Sequence, residues 1–242
     1  MARGLSLVAG GGGGAPPRPA DERPIPSGLG QWSNLPEALR AIRPTLSELF
    51  AHPRDGGWAG FLLAQVAAGK PLLWVQERMA ILEAGRIYPP GIDCPEIIHV
   101  TARDARSALW AMEEGLRCAA LSAVIGELWS DPSSLDFTAT RRLAVAAERS
   151  GVACWLVRLG GAANLSGARM RWRVASAPSL ANPFDPRAPG TPAWDAELFR
   201  ARGVPPGHWT VAHEAGDEDP FRLVAAFGDR ALAQDGRERR SA

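Results

Sequence analysis

The sequence predicts an α/β fold: a mostly parallel sheet with helices on both faces and antiparallel strands near the C-terminus. Three observations predict it. Short apolar runs alternate with amphipathic segments from residue 72 to about residue 165. The runs have strand length, whereas the segments between them carry apolar residues at helical spacing. Beyond residue 165 the helical spacing gives way to strand-like runs separated by turn-rich loops. Alternation of the first kind implies βαβ crossovers and parallel pairing, and the second kind implies edge strands that return antiparallel.

Residues 1–30 hold the Gly10–Gly14 run and five prolines from Pro16 to Pro26, a composition that cannot bury a core and predicts a disordered tail. A short helix is expected over Leu35–Ile42, with Pro36 in its first turn. Residues 52–62 form a glycine-containing loop that runs into an apolar helix, followed by a strand at Leu72–Gln76. A second strand is expected at Glu96–Val100. Thr101 then caps a helix, with Asp104 in a capping-box arrangement and Ala105, Ala108, Leu109, Met112 and Leu116 as its apolar face.

The third strand is Ser122–Ile125, and Asp136 or Thr138 opens a helix that Gly151 ends. Val152–Val157 is the fourth strand. Met170–Ala177, Ala193–Phe199 and His208–Val211 follow, with the turn-rich stretch from Asn182 to Gly190 between the first two. The expected division is a tail at 1–30, a core domain at 31–213 and an acidic, polar tail at 214–242.

Net charge is +1, so overall charge argues for no particular partner. Its distribution says more. Arg141 to Arg173 contains seven arginines and one acid, Glu148, whereas Glu214 to Asp219 contains four acids and no base. Lys70 is the only lysine among 27 basic residues, a bias that fits a GC-rich genome. Cys94, Cys118 and Cys154 show no metal-ligand spacing and fit a reducing compartment, with Cys118 and Cys154 read as small core residues. No apolar stretch is long enough to span a membrane, and no metal site is expected.

The loop His52-Pro53-Arg54-Asp55-Gly56-Gly57-Trp58-Ala59-Gly60 stands where a Walker A loop would, but Trp58 and Ala59 fill the places of its lysine and hydroxyl residue. Neither can neutralise a triphosphate or ligate Mg²⁺. Gly56, Gly57 and Gly60 are either a residual backbone anion nest or a tight turn that needs small residues. Arg141, Arg142, Arg158, Arg171 and Arg173 are the candidate single-stranded DNA contacts, against the alternative of a solvated face paired with acids. Arg171 and Arg173 share one strand face, with Trp172 on the other. Trp74, Trp110 and Trp155 read as core. Trp58, Trp129 and Trp209 read as candidate interface anchors.

In order, these segments resemble the ATP-binding core of RecA recombinases over about residues 36–176. The resemblance places the catalytic glutamate at Glu77, the Walker B acid at Gly126 with Glu127 one step later, and the sensor glutamine at Arg158. Glu77 would position water if nucleotide bound; otherwise it is a polar strand end or a partner of Arg78 or Arg86.

A closer resemblance is to the ImuA family. It rests on Gly85–Gly91, Leu109–Cys118, Ala123–Leu128, Thr140–Leu143, Arg171–Val174 and Leu198–Gly203. It implies a non-catalytic, cofactor-free accessory subunit of SOS-induced translesion synthesis in the cytoplasm, at the nucleoid. The implied partners are ImuB, an error-prone DNA polymerase III α subunit, and a RecA filament or single-stranded DNA. Arg200, Arg202, Trp209 and the loop Pro183–Pro192 are candidate partner contacts. A nucleotide-dependent DNA-binding ATPase and a SulA-like division inhibitor are the alternatives.

Overall fold

The computed structural model describes residues 36–40, 44–66, 69–92, 96–213 and 221–227. All belong to the unit formed by residues 32–242. The tail expected at residues 1–30, the acidic run 214–219 and Cys94 lie outside the described residues.

The elements are α1 (Glu37–Arg40), β1 (Leu46–Ala51), α2 (Trp58–Leu63), β2 (Leu72–Glu77), α3 (Arg78–Ala84), a 3₁₀ turn at Pro89–Gly91, β3 (Ile97–Ala102), α4 (Ala105–Gly115), β4 (Ala123–Trp129), α5 (Phe137–Ser150), β5 (Ala153–Leu159), β6 (Met170–Ala177), β7 (Ala193–Ala201), β8 (Gly207–Ala212) and β9 (Arg222–Phe227). The strands form one sheet in the order β3-β2-β4-β5-β1-β6-β7-β8-β9. Pairing is parallel from β3 through β6 and antiparallel from β6 to β9. The fold is therefore the expected α/β, RecA-like one.

Strand alternation divides the interior in two. On one face α2 and α3 cover Trp74, Ile125, Trp155, Val157 and Trp172. On the other, α4 and α5 cover Leu73, Val75, Val124, Cys154 and Leu156. Both long helices start where short acids accept the orphan amides of a first turn. Asp104 accepts from Ser107 N at 2.7 Å and Asp136 accepts from Ala139 N at 2.7 Å. The cap of α4 is thus Asp104, not Thr101, which belongs to β3. Gly151 ends α5 at φ 75°, the left-handed conformation that glycine adopts without a Cβ clash.

Several expectations change. The sheet runs past residue 213, because β9 pairs with β8 and takes part of the segment expected as a tail. Trp110 is 64% exposed, since α4 already buries Ala105, Ala108, Leu109 and Met112 on one stripe and position 110 faces away from it. Cys118 is exposed, in the turn after α4. Trp58 and Trp209 are buried and so are not interface anchors.

The aromatic centre explains Trp209. Phe61 of α2 stacks on Phe221 at 4.9 Å between centroids and meets Trp172 at 5.5 Å, and Trp172 meets Trp209 at 6.3 Å. This cluster ties α2 to the antiparallel strands. Phe61→Ala should cost about 3–5 kcal/mol of stability, read as a lowered urea midpoint.

Candidate functional site

The loop between β1 and α2 is the first candidate. Its strand, β1, lies between β5 and β6, so the loop emerges in the middle of the sheet at the C-terminal ends of the parallel strands, where open α/β sheets bind ligands. The position is that of a phosphate loop, but its contents are different. Asp55 turns its own carboxylate inward. Oδ1 accepts from Gly57 N at 2.9 Å and from Ser176 Oγ at 2.6 Å, and Oδ2 accepts from Ser176 N at 2.7 Å. Burial alone would raise the pKa of Asp55, but the hydrogen bonds from Ser176 and Gly57 together hold it below the usual carboxylate range. The loop therefore carries its own anion where a phosphate would need the amide.

Two indoles flank the loop, one over it and one beneath. Trp194 Nε1 donates to Gly57 O at 2.6 Å, and a Cβ on Gly60 would come within 2.7 Å of the Trp194 ring. Gly60 thus serves close packing against an aromatic ring, the small-residue reading of this loop. Trp58 points into the core and packs on Trp74, with centroids 6.2 Å apart. Ala59 opens the second position of a six-residue helix and offers only a methyl. Gly56 has open space around its Cα, so it is the one loop glycine of the three that packing does not demand.

Beneath the indoles lies a buried polar network. Glu127 accepts from Trp74 Nε1 through Oε1 and from Gln76 Nε2 at 3.1 Å through Oε2. Gln76 Nε2 also donates to Gly85 O at 3.1 Å, and its Oε1 accepts from Ile87 N at 3.1 Å and from His99 Nε2 at 3.0 Å. His99 accordingly carries its proton on Nε2. Burial first, and the charge of Arg86 second, lower the pKa of this ring. Burial pushes Glu127 up to about 7 against the two hydrogen bonds it accepts. Both oxygens are thus spent inside the protein.

Gly126 sits on the opposite face, where an added Cβ would collide with the Met112 side chain of α4. The acid that faces α2 is therefore Glu127, one step beyond the position read from the strand. Glu77 is buried and its Oε2 accepts from Trp129 N at 3.0 Å, tying β2 to β4 rather than facing a water.

The arginines separate into two groups. Arg158 and Arg171 are buried and converge on Glu48, which is 0% exposed in the central strand. Arg171 Nε donates to Glu48 Oε2 at 2.7 Å, Arg158 Nη1 lies 3.8 Å from Oε1, and Arg158 also pairs with Asp131. Phe50 and Phe199 fill the spaces between guanidiniums. Arg158 and Arg171 lie 5.5 and 5.2 Å from the Phe50 centroid, and Arg171 and Arg173 lie 5.4 and 4.1 Å from that of Phe199. Arg158 and Arg171 are structural charges and cannot contact DNA. Arg173 shares the face of Arg171 as expected and is half exposed, but it pairs with Glu197 at 2.9 Å.

Arg141 and Arg142 stay exposed on α5, and Arg142 pairs with Glu113 at 3.2 Å. Arg200 and Arg202, read from the sequence as partner contacts, join Arg141 and Arg169 around a groove of about 600 Å³ beside α5. Nothing local in the sequence signals this gathering. It depends on an irregularity in β7, where the register with β6 shifts between Arg171 and Trp172 so that Arg171 faces Arg200 while Trp172 faces Leu198. Phe199 is the extra residue, and it turns Arg200 onto the α5 side of the sheet. Among the described residues no group of His, Cys, Asp and Glu could hold a metal, and no helix is long and apolar enough to cross a membrane.

No protein-family model matches the chain. Two relatives do. It is 35% identical over 177 residues to Protein ImuA of Caulobacter vibrioides strain NA1000 / CB15N, covering 68% of this chain and 70% of that protein. Protein ImuA of C. vibrioides strain ATCC 19089 / CIP 103742 / CB 15 matches with the same identity and coverage. The chain belongs to the ImuA family. In this ImuA-family member the loop at residues 52–57 is closed by the chain's own side chains.

Glu127 gives a pH signature of the closed site. A carboxyl raised from 4.5 to about 7 contributes stability that is complete below its unfolded pKa and lost as pH rises through 7. Wild type should lose thermal stability between pH 5 and 8, and Glu127→Gln should flatten that slope. Melting curves across this range check it, and parallel slopes would show that Glu127 does not carry the proton.

Proposed function

We propose that this protein is a non-hydrolytic accessory subunit of damage-inducible mutagenesis that acts by docking other proteins. Membership of the ImuA family supports the biological setting. The single observation that carries the non-catalytic reading is Asp55, whose carboxylate takes the Gly57 amide that a phosphate would use. A nucleotide would have to displace that carboxylate and the Trp194 indole, and it would find neither lysine nor hydroxyl at Trp58 and Ala59. The alternative of a nucleotide-dependent motor gains no support from this geometry. On this reading the docked proteins are ImuB and, through it, an error-prone DNA polymerase III α subunit. A RecA filament is a further candidate partner.

The best-presented contact for such docking is the β6–β7 connection. Asn182 Oδ1 accepts from Phe184 N at 2.9 Å and Asp185 N at 3.1 Å, and Asn182 Nδ2 donates to Pro189 O at 3.2 Å. These bonds brace a loop whose Phe184 is 94% exposed. A braced, solvent-facing aromatic loses little freedom on binding and suits an apolar pocket on a partner. Arg202 and Trp209 are less suited: the first faces the groove beside α5 and the second is core. Deleting residues 205–242 would remove β8 and β9 from the sheet, so a point substitution tests the interface better.

Two outcomes are expected. Purified protein should hydrolyse ATP at the buffer rate with Mg²⁺, with or without single-stranded DNA; turnover abolished by Glu77→Gln would overturn the non-hydrolytic reading. Co-purification of ImuB should fall about tenfold with Phe184→Ala. Undiminished ImuB recovery would remove the loop from the interface.

A further inference from the structure

We infer that the groove beside α5 binds the backbone of single-stranded nucleic acid, an inference that goes beyond the docking role. The groove is lined by Arg141, Arg169, Arg200 and Arg202, with Phe137 at one end. Its charge is not cancelled internally. Arg169 pairs with Glu148 at 2.7 Å, and that carboxylate, held low by the hydrogen bond from Arg169, also lies in the field of Arg202. Arg141 and Arg200 have no acidic partner among the described residues. One carboxylate, Glu148, therefore stands beside two of the four guanidiniums.

Three features select the ligand. Guanidinium forks match phosphate oxygens, and several spread along a groove suit a repeating anion better than a single one. Phe137 is 41% exposed where α5 begins, so a π face stands beside the arginines. Basic groove and aromatic platform together are what a flexible strand with unstacked bases requires. Finally, the charge continues past the helix. A second groove of about 560 Å³ on the other side of α5 carries Arg117, Arg142 and Arg149, and Arg141 lines both. Arg117 and Arg142 are partly neutralised by Glu114 and Glu113. The first groove is thus the stronger site and the second its extension.

The arginines are held in place by ordinary packing. Gly167 N donates to Thr140 Oγ1 at 2.9 Å, and a Cβ on Gly167 would come within 2.7 Å of Arg141 Cα. This close approach seats the β5–β6 connection against α5. Arg202 N donates to Arg169 O at 2.9 Å, which sets those two side chains on neighbouring backbones.

The test is fluorescence anisotropy of a labelled oligothymidylate with the full chain, across a salt series, with folding checked by thermal melts. Arg141→Ala/Arg200→Ala/Arg202→Ala should weaken binding about tenfold or more and lower the salt slope by about 2. Phe137→Leu, which keeps the apolar bulk, should weaken it about fivefold with the slope unchanged. Arg173→Ala, which removes a charge elsewhere on the sheet, should change affinity less than about twofold. The inference fails if the triple variant binds as wild type, or if Arg173→Ala weakens binding as much as the triple variant does. It also fails if oligoglutamate competes as well as oligothymidylate and Phe137→Leu loses nothing, which would make the groove a site for an acidic protein segment. The assay uses neither ATP nor ImuB, so its failure leaves the docking role standing.

Discussion

Glu48 decides which arginines are available to anything outside the protein. It lies at the centre of the sheet on β1, and the strands on either side bring it Arg171 and Arg158. Buried guanidiniums without a carboxylate would be strongly destabilising, because their desolvation cost would have no return. Asp131 supplies the second negative charge, so two acids face two arginines. Phe50 and Phe199 separate the cations and give each a ring face. The neighbouring parallel strands β5, β1 and β6 are therefore held together by charge as well as by backbone bonds. Cations that neutralise Glu48 and Asp131 cannot also bind phosphate, whereas Arg141 and Arg200 beside α5 have no acidic partner among the described residues.

A second constraint acts on the opposite face of the sheet. Trp194 packs over Gly57 and Gly60 while Trp58 packs beneath them on Trp74, and Phe61, Trp172, Trp209 and Phe221 continue the same aromatic packing under the antiparallel strands. One body of aromatic side chains thus closes the loop and attaches the C-terminal sheet.

The fold class was legible because its signals are local. Apolar runs at strand length, Asp136 at a helix start and Gly151 at its end can all be read without knowing what they touch. β1 was not legible: Leu46-Ser47-Glu48-Leu49-Phe50-Ala51 contains a carboxylate and a hydroxyl, and only the arginines of neighbouring strands make Glu48 a core residue. β9 was obscured by the acidic run before it. Within the site, the missing lysine and hydroxyl were visible at Trp58 and Ala59. The self-ligation by Asp55 was not, since Ser176 lies 121 residues away in the chain. The arginine groups failed for the same reason. Burial of Arg158 and Arg171 depends on Glu48, and the orientation of Arg200 depends on one inserted residue in β7.

Asp55 has one more implication. Proteins whose loops are completed by a bound nucleotide gain stability in proportion to ligand supply, so their folded fraction follows the cell's energy charge. Here the counter-anion is covalently part of the chain, and the loop is complete as soon as Ser176 and Trp194 pack against it. Its closed form is built from the chain's own groups and needs no added anion to complete it.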